Sequence, residues 1–274
     1  MLIVATVLPG PAPVERTGGF RTRAAFGTRL LRATPRLRAL LAVDLAVAAA
    51  GAVVLVDTVS RVRGHLDRPA GAVPPALGVN GAGSMVTALL LPRLLRSSID
   101  RVVMLRSAFA LPVALVAGAA LAATGPRAWS WPALLAVRAA IGAASSAVQT
   151  PGGRVIRRST ADADLPAAFA ARFSPSHGCW LLTYPLAGWL AAGAGLPLAV
   201  LLLGAVALSA AAAAAVIWPA RDPYRLEHVH PDLPPGHPHL VDARPATGGW
   251  RHGHPYVIDR HHHRWPGKTP GRSC

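Results

Sequence analysis

Charge is scarce in this sequence. Of 274 residues, 15% are charged and 52% hydrophobic, and mean hydropathy is +0.38. The apolar residues come in long blocks, which excludes an ordinary soluble chain and marks a membrane protein. Cysteine is nearly absent. Cys179 lies inside an apolar block and Cys274 is the last residue, so no disulfide framework follows. No four-ligand cysteine–histidine pattern occurs, which excludes a structural zinc finger. The sequence also lacks a nucleophile paired with a base, a phosphate loop and a compact catalytic metal motif. These absences exclude covalent catalysis, so the chain is expected not to be an enzyme and to carry no cofactor. The opening MLIVATVLP has no basic residue ahead of it and no small-residue cleavage pattern behind it, unlike a signal peptide.

Apolar blocks of spanning length are abundant. A helix needs roughly 20 mostly apolar residues to cross the hydrocarbon. Six blocks qualify: 39–58, 74–92, 105–124, 131–150, 176–194 and 196–218. The second is the weakest, with Asn80 and several glycines. The expected fold class is therefore all-α, a polytopic membrane bundle of six transmembrane helices. Small residues throughout the blocks allow close helix approach in lipid.

Net charge is +16. Nucleic acid is not the expected partner, because the arginines fall between apolar blocks and not along one face. Cytoplasmic loops between spans are rich in Lys and Arg, and that bias sets orientation. With the amino terminus inside, 23 of the 28 basic residues fall on the inner side and four on the outer, with Arg138 inside a span. Both termini are then cytoplasmic, in a cell (inner) membrane. Trp129, Trp131 and Trp218 fall at span edges, where interfacial tryptophan is expected.

MLIVATVLP is too short to span. It reads as the end of a preceding helix, followed by a basic segment of about thirty residues with a linker's composition. Six spans after such a linker resemble the carboxyl-terminal half of a major facilitator superfamily transporter. The most specific piece is residues 149–190, QTPGGRVIRRSTADADLPAAFAARFSPSHGCWLLTYPLAGWL, similar to the tenth span, following loop and eleventh span of bacterial efflux members. RLLRSSIDRVVML is a weaker match to the family's G-x-x-x-D-R-x-G-R-R loop. There Asp100 and Arg101 match, Arg96 stands at the glycine position, and the trailing G-R-R is absent. The resemblance implies proton-coupled efflux of a small solute or drug by alternating access. It also implies a missing N-terminal six-helix half as partner, since such transporters bind substrate between halves.

Ionisable residues inside spans are functional candidates by default. Arg138, Gly142, Ser145 and Gln149 follow helical spacing on the fourth span. Arg138 is either a substrate or counter-ion site or an arginine snorkelling outward. Asp57, near the outer end of the first span, lies at a depth where it can pair with Arg138. Asp44 is either a proton carrier or a helix-end carboxylate reaching water. On the fifth span His177, Trp180, Tyr184 and Gly188 share a face. His177 is either a proton relay or a solvated, capping residue, and Pro185 after Tyr184 predicts a kink.

Beyond residue 218 the sequence turns polar and proline-rich. Nine of the eleven histidines lie here: His228, His230, His237, His239, His252, His254, His261, His262 and His263. Histidines one residue apart share a side of an extended chain, and imidazole suits Ni, Zn and Cu. Some facilitator members that export nickel or cobalt carry histidine-rich carboxyl tails, so the resemblance adds Ni or Co as cargo. Proline density predicts instead a disordered cytoplasmic tail with incidental metal affinity. Val257, Ile258 and Trp265 could dock part of it onto the bundle. The expected division is a basic linker with a helix remnant over 1–38, a transmembrane bundle over 39–218, and the tail over 219–274. The competing function is a non-transporting membrane protein that binds divalent metal through its tail, or an inactive truncated product.

Overall fold

A computed structural model describes residues 19–95, 100–222, 225–259, 261–262 and 265–266. The MLIVATVLP segment, Arg96, His263 and Cys274 lie outside these. The described chain is mostly helical. Helix α1 (Phe20–Ala33) stops at Thr34, held extended by the following proline, and Pro35 opens α2 (Pro35–Val59). The helical start thus falls ahead of residue 39, and part of the basic linker is itself a helix. A π-turn (Ser60–His65) continues α2. Then come α3 (Val73–Leu94), α4 (Asp100–Ala123), α5 (Ser130–Gln149), short α6 (Gly152–Ser159), α7 (Leu165–Ala194) and α8 (Leu196–Ile217).

Five helical stretches are long and apolar enough to cross a membrane: Pro35–His65, Ala70–Arg93, Asp100–Ala123, Ser130–Ser159 and Leu196–Ile217. Helix α7 is long, at 30 residues, but is not among them. Its sequence carries His177, Tyr184, Pro175, Pro185 and two tryptophans, which dilute its apolar character.

Helix α2 is the hub, with 67% of its most apolar window buried against 6% for the stretch containing α3. It packs on α4, α5, α7 and α8. Helix α3 lies on the outside, turning Met85 and Leu89 outward, as lipid contact favours. Its inner face meets α5 at very close range. A Cβ on Gly142 would lie 1.9 Å from the Asn80 carbonyl oxygen, and one on Gly83 would lie 2.3 Å from that of Ala139. The Ser84 hydroxyl donates to the Gly142 carbonyl at 2.8 Å. Small residues at a crossing let backbones touch. Gly142→Ala is expected to force α3 and α5 apart and to destabilise the bundle by about 1–3 kcal/mol. Gly188→Ala, where a Cβ meets nothing within 4 Å, is expected to be near neutral. Thermal unfolding of the two variants in detergent checks the difference.

The tail is not disordered over its described part, which corrects the expectation from proline density. It forms a three-stranded antiparallel sheet in the order β1 (Arg225–His230), β3 (Gly249–Pro255), β2 (Arg244–Ala246). Thr247 and Gly248, the latter at φ 87°, make the β2–β3 turn, and Gly249 opens β3 at φ 140°. A Cβ on Gly249 would strike the His230 carbonyl oxygen at 2.1 Å. The fold arises because histidine, counted as polar, packs here as a flat aromatic ring. Beyond the sheet, Ile258 joins the main core and Trp265 packs against it, as expected, but Tyr256 and not Val257 is the third docked residue.

Asp222 ties tail to bundle. It accepts from Arg36 Nη1 at 3.5 Å, from Trp218 Nε1 at 3.1 Å, and from Arg158. Trp218, at the end of α8, is buried within the protein, 1% exposed and bonded to a carboxylate. Arg36 also donates to the Tyr256 carbonyl at 3.2 Å and lies 4.9 Å from the Trp265 ring centroid. At the same end Asp100 pairs with Arg154, and Arg101 donates to the Trp218 carbonyl at 3.2 Å. At the opposite end Val62, Ala76 and Leu134 form a small separate core. There Arg68 sits 4.6 Å from the Trp131 ring centroid.

Candidate metal centre

Strand alternation builds the site. In β1, His228 and His230 stand on one face. In β3, His252 and His254 do the same, and His228 faces His252 across the ladder. A 3-10 turn (Pro238–Leu240) swings His239 in, its amide donating to His237 Nδ1 at 3.1 Å. The ligand nitrogens of His228, His230, His239, His252 and His254 lie within 4.8 Å of one another. His262 joins them, its Nε2 2.9 Å from that of His228.

The outer ring nitrogens are already committed. His228 Nδ1 donates to the Leu226 carbonyl at 3.1 Å, and His254 Nδ1 to the Pro255 carbonyl at 2.8 Å. His262 Nδ1 donates to Asp259 at 2.9 Å, and the His252 ring to the Val241 carbonyl. A carbonyl or carboxylate only accepts, so the hydrogen sits on Nδ1 and the Nε2 lone pair points inward. This is how a protein orients metal-ligating imidazoles. The Nε2 atoms of His239, His252 and His254 are buried without a hydrogen-bond partner. His228 and His262 face each other lone pair to lone pair at 2.9 Å. Two imidazole nitrogens on one ion, each about 2.1 Å from it, sit roughly 3 Å apart at a right angle. A cation therefore relieves both the orphaned nitrogens and the repulsion.

Burial is the largest cause that holds His228, His230 and His239 down at about 4, and neighbouring imidazoles add to it. His252 and His254 are also lowered, again chiefly by burial. Burial raises Asp259, but its bonds to His262 and to the His261 amide outweigh that and hold it below the usual carboxylate range. Burial, then the Asp259 charge, push Tyr256 up to about 12. The rings are thus neutral at pH 7, ready to ligate. In the unfolded chain these histidines take up protons near pH 6.5, but in the folded one His228, His230 and His239 do so only near 4. The unfolded state binds more protons between those values, so folding of the tail is full above about pH 6.5 and weakens as pH falls toward 4. Amide exchange across residues 225–259 at pH 7.5 and 5 is expected to show protection lost at the lower pH.

His237 and His261 sit at the margin, their rings 5.3 Å apart, and His263 lies outside the described residues. The set is all imidazole, a donor type suited to Ni, Co, Cu and Zn and unsuited to Mg or Ca. Position alone in the sequence could not reveal Asp259 or the Nδ1 partners. The Asp-x-x-His spacing was the one available signal.

The candidates within the helices fall into two places. Asp44, Gln149, His177 and Trp180 line one open cleft of about 490 Å³ with Arg172, Phe169 and Phe173. Asp44 is largely covered by its partner and opens only onto this cleft. It is 5% exposed and receives Arg172 Nε at 3.1 Å and Nη2 at 2.9 Å. His177 is exposed, stacked on Phe173 at 3.8 Å, with Nδ1 donating to the Phe173 carbonyl. Tyr184 lies beside Trp180, outside the residues that line the cleft. The second place is a buried cluster in which Arg138 Nη2 donates to Asp57 at 2.9 Å. Arg138 is 2% exposed, so it does not snorkel. Gly142 meets α3 and Ser145 is half-buried, so the proposed stripe lines no single cavity. Sequence reasoning missed Arg61, Arg154, Arg172 and Asp222, all taken as topological arginines or passed over.

No family model, curated protein or solved structure matches the chain.

Proposed function

We propose that this chain is a multi-pass membrane protein of the facilitator type that exports a divalent first-row metal ion, gathered at the histidine module of its tail. The observation that carries the reading is the convergence of six imidazole Nε2 atoms whose opposite nitrogens are largely tied to carbonyls or a carboxylate. Five long apolar helices support the membrane assignment. In this reading α7 makes the sixth crossing, since its 30 residues exceed the roughly 20 required. The bundle then matches one six-helix half of such a transporter. Both termini lie in the cytoplasm of a cell (inner) membrane, and the tail meets metal on that side. Protons drive the efflux, with Asp44 and Arg172 at the inner mouth of the cleft.

The second reading is a membrane protein that binds metal through the tail and transports nothing. It draws on the module's being complete within residues 225–262. Reconstitution separates the two. Liposomes containing the purified chain and a nickel-sensitive dye are expected to move Ni²⁺ when a proton gradient is imposed. Tight Ni²⁺ binding with no flux supports the second reading, and absence of both overturns each.

A further inference from the structure

The six imidazoles that converge in the tail have the connectivity of an octahedron. They fall into three opposed pairs: His228 with His239, His230 with His254, and His252 with His262. Among the described residues no ring contact joins the two members of any such pair. Every other pairing of the six places its ring centroids 4.7–5.1 Å apart. Each corner of an octahedron likewise neighbours all the others except the one across from it. A tetrahedron has no opposed corners at all.

The nitrogens agree with the rings. His228 Nε2 lies 2.9 Å from those of its neighbours His230 and His262. Around an ion with bonds of about 2.1 Å, a right angle sets nitrogens roughly 3.0 Å apart and a tetrahedral angle roughly 3.4 Å. The opposed ligand nitrogens of His228 and His239, and of His230 and His254, lie within 4.8 Å, where a straight line through the ion needs roughly 4.2 Å. The Nε2 atoms of His239, His252 and His254 are buried with no hydrogen-bond partner, so the protein itself does not complete them.

We infer that the tail is a closed octahedral site that holds one Ni²⁺ through six imidazoles and leaves no position for water. This rests on the tail's being a metal module, as proposed above, and adds its coordination number and its choice of ion. Three comparisons select Ni²⁺. It binds nitrogen donors more tightly than Co²⁺, Fe²⁺ or Mn²⁺. Zn²⁺, with its filled d shell, gains nothing from an octahedron and favours four ligands. Cu²⁺ outranks Ni²⁺ where geometry is free, but takes a tetragonal site, which six imidazoles at equal spacing do not offer.

The test uses the full chain in detergent at pH 7.5, purified without a polyhistidine tag. X-ray absorption of the Ni²⁺-loaded protein is expected to show one ion per chain with six nitrogen neighbours at about 2.1 Å. Bound Co²⁺ should be pale, as six-coordinate Co²⁺ is, and not the intense blue of a tetrahedral site. In competition Ni²⁺ should outbind Zn²⁺ by at least about tenfold. His252→Ala/His262→Ala removes one opposed pair and leaves the other two in a plane, so preference should pass from Ni²⁺ to Cu²⁺. An intense Co²⁺ spectrum, fewer than six nitrogen neighbours, tighter Zn²⁺ than Ni²⁺, or an unchanged preference in the double variant overturns the octahedron and leaves the tail a metal site. Failure to bind any of these ions overturns the metal reading as well. Should the double variant not fold, the wild-type spectra and competition decide.

Discussion

Replacing Asp57 by Asn is expected to destabilise the helical bundle by about 3–5 kcal/mol, the usual consequence of stripping a partner from a buried ion pair. Two guanidinium groups would then face each other with no carboxylate between them. Arg138→Met is expected to do far less. It leaves Asp57 gripped by Arg61 through two bonds and removes the excess positive charge, and apolar replacement of a buried charge is often neutral. The double variant Asp57→Asn/Arg138→Met should recover part of the loss, because one unpaired guanidinium is less unfavourable than two. Thermal unfolding of the three proteins in one detergent gives the comparison. If Asp57→Asn and Arg138→Met prove equal, charge balance is not what holds this cluster together.

The second large effect concerns the tail. His228 borders four other rings of the cluster. Its Nε2 is 2.9 Å from those of both His230 and His262, and its ring borders His252 and His254. His228→Ala is expected to lower Ni²⁺ affinity at least 100-fold. Asp259→Asn keeps the ring of His262 but weakens its orientation, and a loss of about 10–100-fold is expected. His237→Ala, at the margin, should change affinity by less than about threefold. Calorimetric titration of the full chain measures all three. A His228→Ala protein that binds Ni²⁺ as tightly as wild type would remove the metal centre from consideration.

The long apolar helices were legible because a run of about twenty apolar residues matches the thickness of a bilayer and little else in a folded chain. Depth along two such helices was enough to bring Asp57 and Arg138 together. Arg61 was not legible in that role. It stands just past the apolar run, where an arginine counts as a loop charge. The structure instead carries the helix on through a π-turn, which brings Arg61 back beside Asp57. Asp44 was misplaced for a similar reason. Its partner Arg172 lies 128 positions away, in a stretch that looks like a loop until α7 is seen to begin at Leu165. The histidine pairs were legible from their i, i+2 spacing, which fits a strand. That four separate segments close on one point was not, since it depends on β3 lying between β1 and β2, and spacing carries no information on strand order.

Gly195 is the entire connection between α7 and α8, at φ 86°. Ala194 and Leu196 are therefore never more than two Cα steps apart, roughly 7.6 Å. Those helices behave like tweezers pinned at one tip: separation there is forbidden, and any spreading grows with distance from the pin. The free tips carry Arg172 on one arm and Trp218 on the other. An outward swing of α7 would thus pull Arg172 off Asp44 while hardly disturbing the helix ends nearest Gly195.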